Sequence, residues 1–153
     1  IVAHFSRISD VVLEKVFPSL TKLESLDLGR NLFSAEGLKY IAAHCHQIRT
    51  IKFDQASLSK ETVEAIVEGC PLITRMEFTN TKLNDEMAVP IAKLNQLEYL
   101  NMSSTDITDA GLIPIIKSNP KMSVFMASNS AITDESAKVL AQTCSLLQQV
   151  DLD

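Results

Sequence analysis

A spacing of apolar residues that returns every 24 or 25 residues constrains the fold of this chain more than any other feature. In the stretch Leu97-Glu-Tyr-Leu-Asn-Met102 the repeated pattern consists of three apolar positions, Leu97, Leu100 and Met102. The second position is three residues after the first, and the third is two residues after the second. The same positions hold Leu23/Leu26/Leu28, Ile48/Ile51/Phe53, Ile73/Met76/Phe78, Met122/Phe125/Ala127 and Leu147/Val150/Leu152, with Ile1 and Ala3 assigned to the second and third positions of a further copy. Such a period is the signature of a repeat array in which each unit packs on its neighbours.

Each repeat predicts one strand, one turn and one helix. Alternation such as Leu26-Asp-Leu28 is typical of a strand. After the turn comes a residue whose side-chain oxygen can accept a hydrogen bond from the first free N–H groups of a helix, and an amphipathic pattern follows. These N-cap residues are Ser9, Ser34, Ser59, Asn84, Thr108 and Thr133. We expect one parallel sheet of strands near 1–3, 25–28, 50–53, 75–78, 99–102, 124–127 and 149–152, with six helices on its convex side.

Two further residue types mark the helices. Aspartate directly follows four of the caps, where the positive end of the helix dipole favours a carboxylate. These aspartates are Asp10, Asp85, Asp109 and Asp134. Pro90 and Pro114 stand six residues after their caps and each removes a backbone donor. We therefore expect those two helices to be kinked or to start late.

Composition excludes several classes of function. The 153 residues fit one domain with a sizeable core. The formal net charge of −5 argues against a nucleic-acid partner, because such proteins neutralise phosphates with clustered Lys and Arg. No apolar run approaches the roughly 20 residues of a membrane span, and no leader pattern opens the chain. We expect a soluble protein with no nucleic-acid and no membrane partner.

The three cysteines, Cys45, Cys70 and Cys144, share one position in the repeat. An odd number without clustering fits a reducing compartment, which predicts a cytoplasmic or nuclear protein. The simplest interpretation is that they are small buried thiols of the core. His44 and His46 flank Cys45, but neighbouring side chains point in different directions and no second ligand cluster appears, so we predict no metal site.

The ends of the chain fall inside the repeat pattern. The first and last residues lie in strand segments, and neither end has a polar capping unit, although a solenoid needs capped ends for solubility. We interpret residues 1–153 as one repeat domain of six repeats plus a final strand, an excerpt from a longer array. The alternative is that a partner subunit covers the ends.

Several segments carry a family resemblance. They are Ile107-Thr-Asp-Ala-Gly-Leu112, Ile132-Thr-Asp134, Ile8-Ser-Asp10 and Cys70-Pro-Leu-Ile-Thr-Arg-Met-Glu-Phe78. They resemble the cysteine-containing class of leucine-rich repeats, whose pattern runs roughly C-P-x-L-x-x-L-x-L-x-x-C-x-x-I-T-D-x-x-L. The resemblance implies an α/β solenoid, with a parallel sheet on the concave face, and the substrate-recognition arc of an F-box ubiquitin ligase. No F-box-like segment is present, and the turn position of the pattern never holds Cys.

The binding surface follows from alternation. Strand residues between the apolar positions point away from the helices and line the concave face. The candidate partner-binding residues there are Lys52, Asp54, Arg75, Glu77, Tyr99, Asn101, Val124 and Met126. Tyr99, Val124 and Met126 form an apolar patch suited to anchor a protein partner, with Tyr99 expected to be exposed.

Two alternatives remain for this surface. The four charged candidates, which are Lys52, Asp54, Arg75 and Glu77, would on the simpler interpretation only form cross-strand ion pairs. A shift of the strand register by one residue would bury Val124 and Met126 instead of Phe125.

We find no arrangement of residues for catalysis, and no cofactor is implied. None of the three histidines has a spacing that pairs it with a cysteine or serine, and no phosphate-binding glycine loop occurs. Two hypotheses remain. The first is a protein-binding scaffold; the second is a regulator that inhibits or activates an enzyme such as a small GTPase. The second would need a positioned arginine or asparagine on a rim loop, and Arg30 most simply reads as a solvated turn residue.

Overall fold

The structure is a computed structural model that describes residues 2–4, 9–31 and 34–153. In this part of the chain seven strands form one parallel sheet in sequence order. They are β1 (Val2–His4), β2 (Ser25–Asp27), β3 (Thr50–Lys52), β4 (Arg75–Glu77), β5 (Tyr99–Asn101), β6 (Val124–Met126) and β7 (Gln149–Asp151). The predicted sheet is confirmed.

The strand register follows the repeat period from β2 onward. Leu26 is opposite Ile51, and the same position continues through Met76 to the end of the sheet. Phe125 is fully buried while its neighbours Val124 and Met126 are partly exposed. The alternative register, which would have buried the two neighbours, is therefore excluded.

The assignment of the first strand was wrong by two residues. Ala3 is opposite Leu26, so Ala3 holds the second apolar position and not the third. Val2 and His4 are opposite Ser25 and Asp27. Ile1 lies outside the described residues.

In the described residues six α-helices follow the strands, and each begins directly after its predicted cap. They are α1 (Asp10–Val16), α2 (Ala35–His44), α3 (Lys60–Gly69), α4 (Asp85–Ala88), α5 (Asp109–Ser118) and α6 (Asp134–Thr143). In five of them the cap side chain accepts a hydrogen bond from a backbone N–H of the first turn. Ser9 occupies the N-cap position of α1 without such a bond.

Pro90 and Pro114 affect their helices differently. Both helices start on schedule, so the expectation of a late start was wrong. After α4 the chain continues from Val89 to Lys93 as a 3-10 helix that contains Pro90. A 3-10 helix rises about 2.0 Å per residue against about 1.5 Å in an α-helix, so fewer residues cover a given length in this shorter repeat. In contrast, α5 runs through Pro114.

The core lies between the sheet and the helices. The three apolar positions are buried in the repeats from β2 to β6, and the rings of Phe53 and Phe78 stack with centroids 5.6 Å apart. The three cysteines are free and buried, as the sequence predicted. At the last strand the same positions are open to solvent, with Val150 48% exposed and Leu152 37% exposed. None of the described helices has the length and apolar character needed to cross a membrane.

Candidate protein-binding face

The eight candidate residues lie on the side of the sheet away from the helices, which we call the open face: Lys52, Asp54, Arg75, Glu77, Tyr99, Asn101, Val124 and Met126. Seven of them are partly exposed, and Glu77 is buried with 8% of its surface accessible. Tyr99 on β5 is opposite Arg75 on one side and Val124 on the other. In the next row, Asn101 lies between Glu77 and Met126. Adjacent strands thus bring the predicted residues together.

Glu77 is at the centre of an ion-pair cluster. Its Oε1 atom lies 3.0 Å from Nζ of Lys52 and accepts hydrogen bonds from Nε and Nη2 of Arg75 at 2.9 and 2.8 Å. The predicted cross-strand ion pair is confirmed between Lys52 and Glu77, whereas Arg75 pairs with Glu77 within the same strand. Asp54 has a different role, because its Oδ1 atom accepts a hydrogen bond from the backbone N–H of Thr79 at 2.9 Å.

The ring of Tyr99 is held on two sides. The guanidinium carbon of Arg75 lies 3.4 Å from the ring centroid, a cation–π contact. The phenol O–H donates to Sδ of Met126 at 3.5 Å. Tyr99 was expected to be an exposed ring, but these contacts leave it half-buried. The alternating pattern predicted the face correctly and could not predict how much of the ring its neighbours cover.

Val124 and Asn101 are the remaining candidates. Val124 is half-buried beside Tyr99 on β6. The Oδ1 atom of Asn101 accepts a hydrogen bond from the backbone N–H of Ser103 at 3.0 Å, so this side chain is turned along its own strand.

The predicted turns after β2 to β6 each contain a left-handed residue, a feature that sequence reasoning missed. These residues are Arg30, Gln55, Asn80, Ser104 and Asn129, with φ between 54° and 59°. A polar residue follows in four of the five turns, and its side chain donates to the carbonyl three residues earlier, as Thr81 does to Phe78 at 2.8 Å. Arg30 is exposed and its N–H donates to the Asp54 carbonyl, which agrees with a turn residue.

A second missed feature is a link between the helix starts of neighbouring repeats. Asp85 and Asp109 each accept hydrogen bonds from the backbone N–H and the hydroxyl of the next cap, Thr108 and Thr133 respectively. Asp10 accepts from the N–H of the cap Ser34 in the same way. The sequence suggested only an effect of the helix dipole on these carboxylates.

Small residues make room for these aspartates. A Cβ atom added at Gly37 or Gly111 would collide with Asp10 or Asp85, at 2.1 and 2.6 Å from the carboxylate oxygen. Ser136, at the corresponding position one repeat later, donates its hydroxyl to Asp109. The signal in the sequence was the pairing of an aspartate after one cap with a glycine or serine in the following helix.

The cysteines and histidines considered as reactive or metal-binding groups have other surroundings in the described part of the chain. Burial raises the pKa of the Cys45 thiol to about 11 and that of Cys70 to about 12, so both are protonated at neutral pH. Nδ1 of His44 lies 2.9 Å from the Tyr40 carbonyl, and Nδ1 of His46 lies 2.8 Å from the Gly69 carbonyl. Among the described residues, no three His, Cys, Asp or Glu side chains are grouped to hold a metal ion.

Comparison with known proteins agrees with this architecture. A family model described as Leucine Rich repeat matches residues 19–42 and 93–115. The chain also resembles a chain in the crystal structure of the TLR13–ssRNA13 complex, with a TM-score of 0.61 and 16% identity. This likeness covers 98% of the present chain and 20% of the other, so the present chain spans about a fifth of that protein's length. No curated protein matches it by sequence. Two segments of this chain, residues 19–42 and 93–115, thus match leucine-rich repeats, and the stacked strand–turn–helix units form an α/β solenoid.

Proposed function

We propose that this chain is a protein–protein interaction scaffold that binds its partner on the open face. Leucine-rich repeat domains generally mediate interactions between proteins. The observation that supports this face is Tyr99, an aromatic side chain held by Arg75 and Met126 at the middle of the sheet. Aromatic residues and arginine at the centre of an interface often supply much of the binding energy.

Charge favours a protein over a nucleic acid as the partner. The chain carries a formal charge of −5. On the open face Lys52 and Arg75 both contact the Glu77 carboxylate, so these cations are already paired. Asp54 adds a further negative charge on the same face. A phosphate backbone would therefore meet few cations that are not already neutralised.

The biological role is proposed from the sequence motifs. The resemblance to cysteine-containing repeats supports a role as the substrate-recognition arc of a ubiquitin ligase, and the three free cysteines support a location in the cytoplasm or nucleus. The alternative role is a regulator of an enzyme such as a small GTPase. Both roles use the chain as a binding surface, and the second would also need a positioned arginine or asparagine on a rim loop.

The test compares the two faces of the solenoid. The double substitution Tyr99→Ala and Met126→Ala removes the anchor, and its counterpart Lys39→Ala and Lys138→Ala changes exposed side chains on α2 and α6. Proteins captured from cell extract by the wild-type chain are identified by mass spectrometry, and the affinity of each for the purified variants is measured by calorimetry.

We expect the double substitution on the open face to weaken binding by about 2 kcal/mol or more, which is roughly 30-fold in Kd. The helical double variant should bind as the wild type does. Thermal unfolding of both variants is recorded first, because Tyr99 is half-buried. If a folded open-face variant keeps the wild-type affinity and the helical variant loses it, the partner binds the helices and the proposal is wrong.

A further inference from the structure

Glu77 differs from the other candidates on the open face because its carboxylate is almost fully enclosed. Its side chain is 10% exposed, whereas those of its partners Lys52 and Arg75 are 32% and 38% exposed. A buried carboxylate without partners would be costly, and here one oxygen atom receives both cations. Glu77 is therefore the fixed member of the cluster, and the two longer side chains are arranged around it.

A continuous series of contacts runs from this carboxylate to the apolar patch. Nε and Nη2 of Arg75 both donate to Oε1 of Glu77, which fixes the plane of the guanidinium group. That plane lies over the Tyr99 ring, and the Tyr99 hydroxyl donates to Met126. The series crosses three adjacent strands, β4, β5 and β6.

We propose that Glu77 is a positioning residue for the Tyr99 anchor: it holds the Arg75 guanidinium over one face of the ring, and so fixes the orientation in which the ring meets a partner. This inference rests on the proposed function of the open face. An arginine side chain has many rotamers, and stacking on a partly exposed ring is a weak contact by itself. The two hydrogen bonds to a buried acceptor restrict Arg75 to the rotamer that stacks.

The composition of the chain allows the ring to be observed directly. The protein has two tyrosines, Tyr40 and Tyr99, and no tryptophan. In a Tyr40→Phe background Tyr99 is the single strong fluorophore, and quenching by acrylamide measures how far its ring is open to solvent. The experiment needs no partner, so it can be done on the purified chain.

Two variants test the position of Arg75 in different ways. Glu77→Gln removes the charge that holds the guanidinium, and Arg75→Lys keeps a cation beside Glu77 but removes the planar group. The control is Glu68→Gln, since Glu68 on α3 also pairs with a lysine, Lys93, at 2.8 Å on the helical side. Circular dichroism shows whether each variant is folded. If Glu77→Gln does not fold, Arg75→Lys provides the test of the proposal.

We expect the quenching constant of Tyr99 to rise about two-fold in Glu77→Gln and in Arg75→Lys, because one of the two ring faces loses its cover. Glu68→Gln should leave it unchanged. Unchanged quenching in a folded Glu77→Gln or Arg75→Lys variant would overturn the positioning role.

The outcome is separable from that of the proposed function. If quenching rises as expected and yet Tyr99→Ala binds the captured partner as tightly as the wild type, Glu77 positions the ring but the ring is not the anchor. That result overturns the role of Tyr99 as the anchor, while the rise in quenching still shows that Glu77 holds Arg75 over the ring. The inference is supported if Glu77→Gln raises the quenching of Tyr99 and if Glu77→Gln and Tyr99→Ala both weaken binding of the partner.

Discussion

The backbone N–H of Leu97 donates to Oδ1 of Asn119, 22 residues later, at 2.8 Å. In the other repeats the equivalent N–H donates to a carbonyl three residues earlier, as that of Ile73 does to Cys70. The repeat that ends before Leu97 is one residue shorter, and its chain is extended at Leu94. The side-chain amide of Asn119 accepts the hydrogen bond that a backbone carbonyl of the turn accepts in the other repeats. This explains why Asn119 occupies the position that holds cysteine in three other repeats.

Replacing Asn119 by cysteine, the residue of three other repeats, should therefore destabilise the protein. The change leaves the buried N–H of Leu97 without an acceptor, and we expect a cost of about 1–3 kcal/mol in the free energy of unfolding. Urea denaturation measures it. The control is Cys144→Ser, at the same repeat position, because the N–H of Leu147 has the Cys144 backbone carbonyl as its acceptor in either case. Equal stability of Asn119→Cys and wild type would show that the amide bond is dispensable.

The stability of the solenoid should depend on the charge of Asp109 in acid. Hydrogen bonds from the Ser136 hydroxyl, and then from the hydroxyl and N–H of Thr133, lower the pKa of Asp109 from 3.8 to about 2. A carboxyl whose pKa is lower in the folded state stabilises the fold above its unfolded pKa. That contribution is present above about pH 4 and is lost as the pH falls towards 2.

The measurement compares wild type with Asp109→Asn in urea at several pH values. We expect the variant to be less stable at pH 6, and the difference in urea midpoint to shrink between pH 4 and pH 2. Asp134→Asn is the matched control, because Asp134 also follows a cap directly and is exposed. A difference that stays constant across this pH range would contradict the role given to the Asp109 charge.

Cys70 should resist alkylation in the folded protein. It is fully buried, its pKa is raised to about 12 by burial and then by Cys45, and only the thiolate reacts with iodoacetamide. Because the thiol pKa is higher in the folded state than in the unfolded state, the neutral Cys70 thiol favours the folded state below about pH 9. That contribution to stability is lost as the pH rises towards 12. Mass spectrometry at pH 8 should find Cys70 unmodified until denaturant is added. Rapid native labelling would refute its place in the core.

The cost of Cys70→Ser follows from a contact of the thiol. Its Sγ atom lies 3.6 Å from the Cys45 carbonyl, so a serine hydroxyl would have an acceptor within reach. We expect destabilisation near the lower end of the range of about 1–3 kcal/mol for an unsatisfied buried polar group.

Local features of the chain were predictable because they depend on neighbours in sequence. The apolar period assigned the strand register from Leu26 to Val150, since side chains of a strand alternate with a period of two. The six helix starts followed from the residue types before them. The first strand was misplaced by two residues because its alternation, with Ala3 as an apolar member, fits both placements equally well.

By itself the sequence determined the α/β solenoid of strand–turn–helix repeats and the set of residues on its open face, because repetition and alternation are properties of the chain. The tertiary structure alone decided what these residues do to one another. Tyr99 is covered by Arg75, Glu77 collects two cations, and Asn119 completes the turn at Leu97. The contacts of Arg75 with Tyr99 and of Lys52 with Glu77 join neighbouring repeats, and the bond of Leu97 to Asn119 joins the start and the end of one repeat. The physical reason is that such a contact depends on side-chain rotamers and on which donors the packing leaves without a local partner.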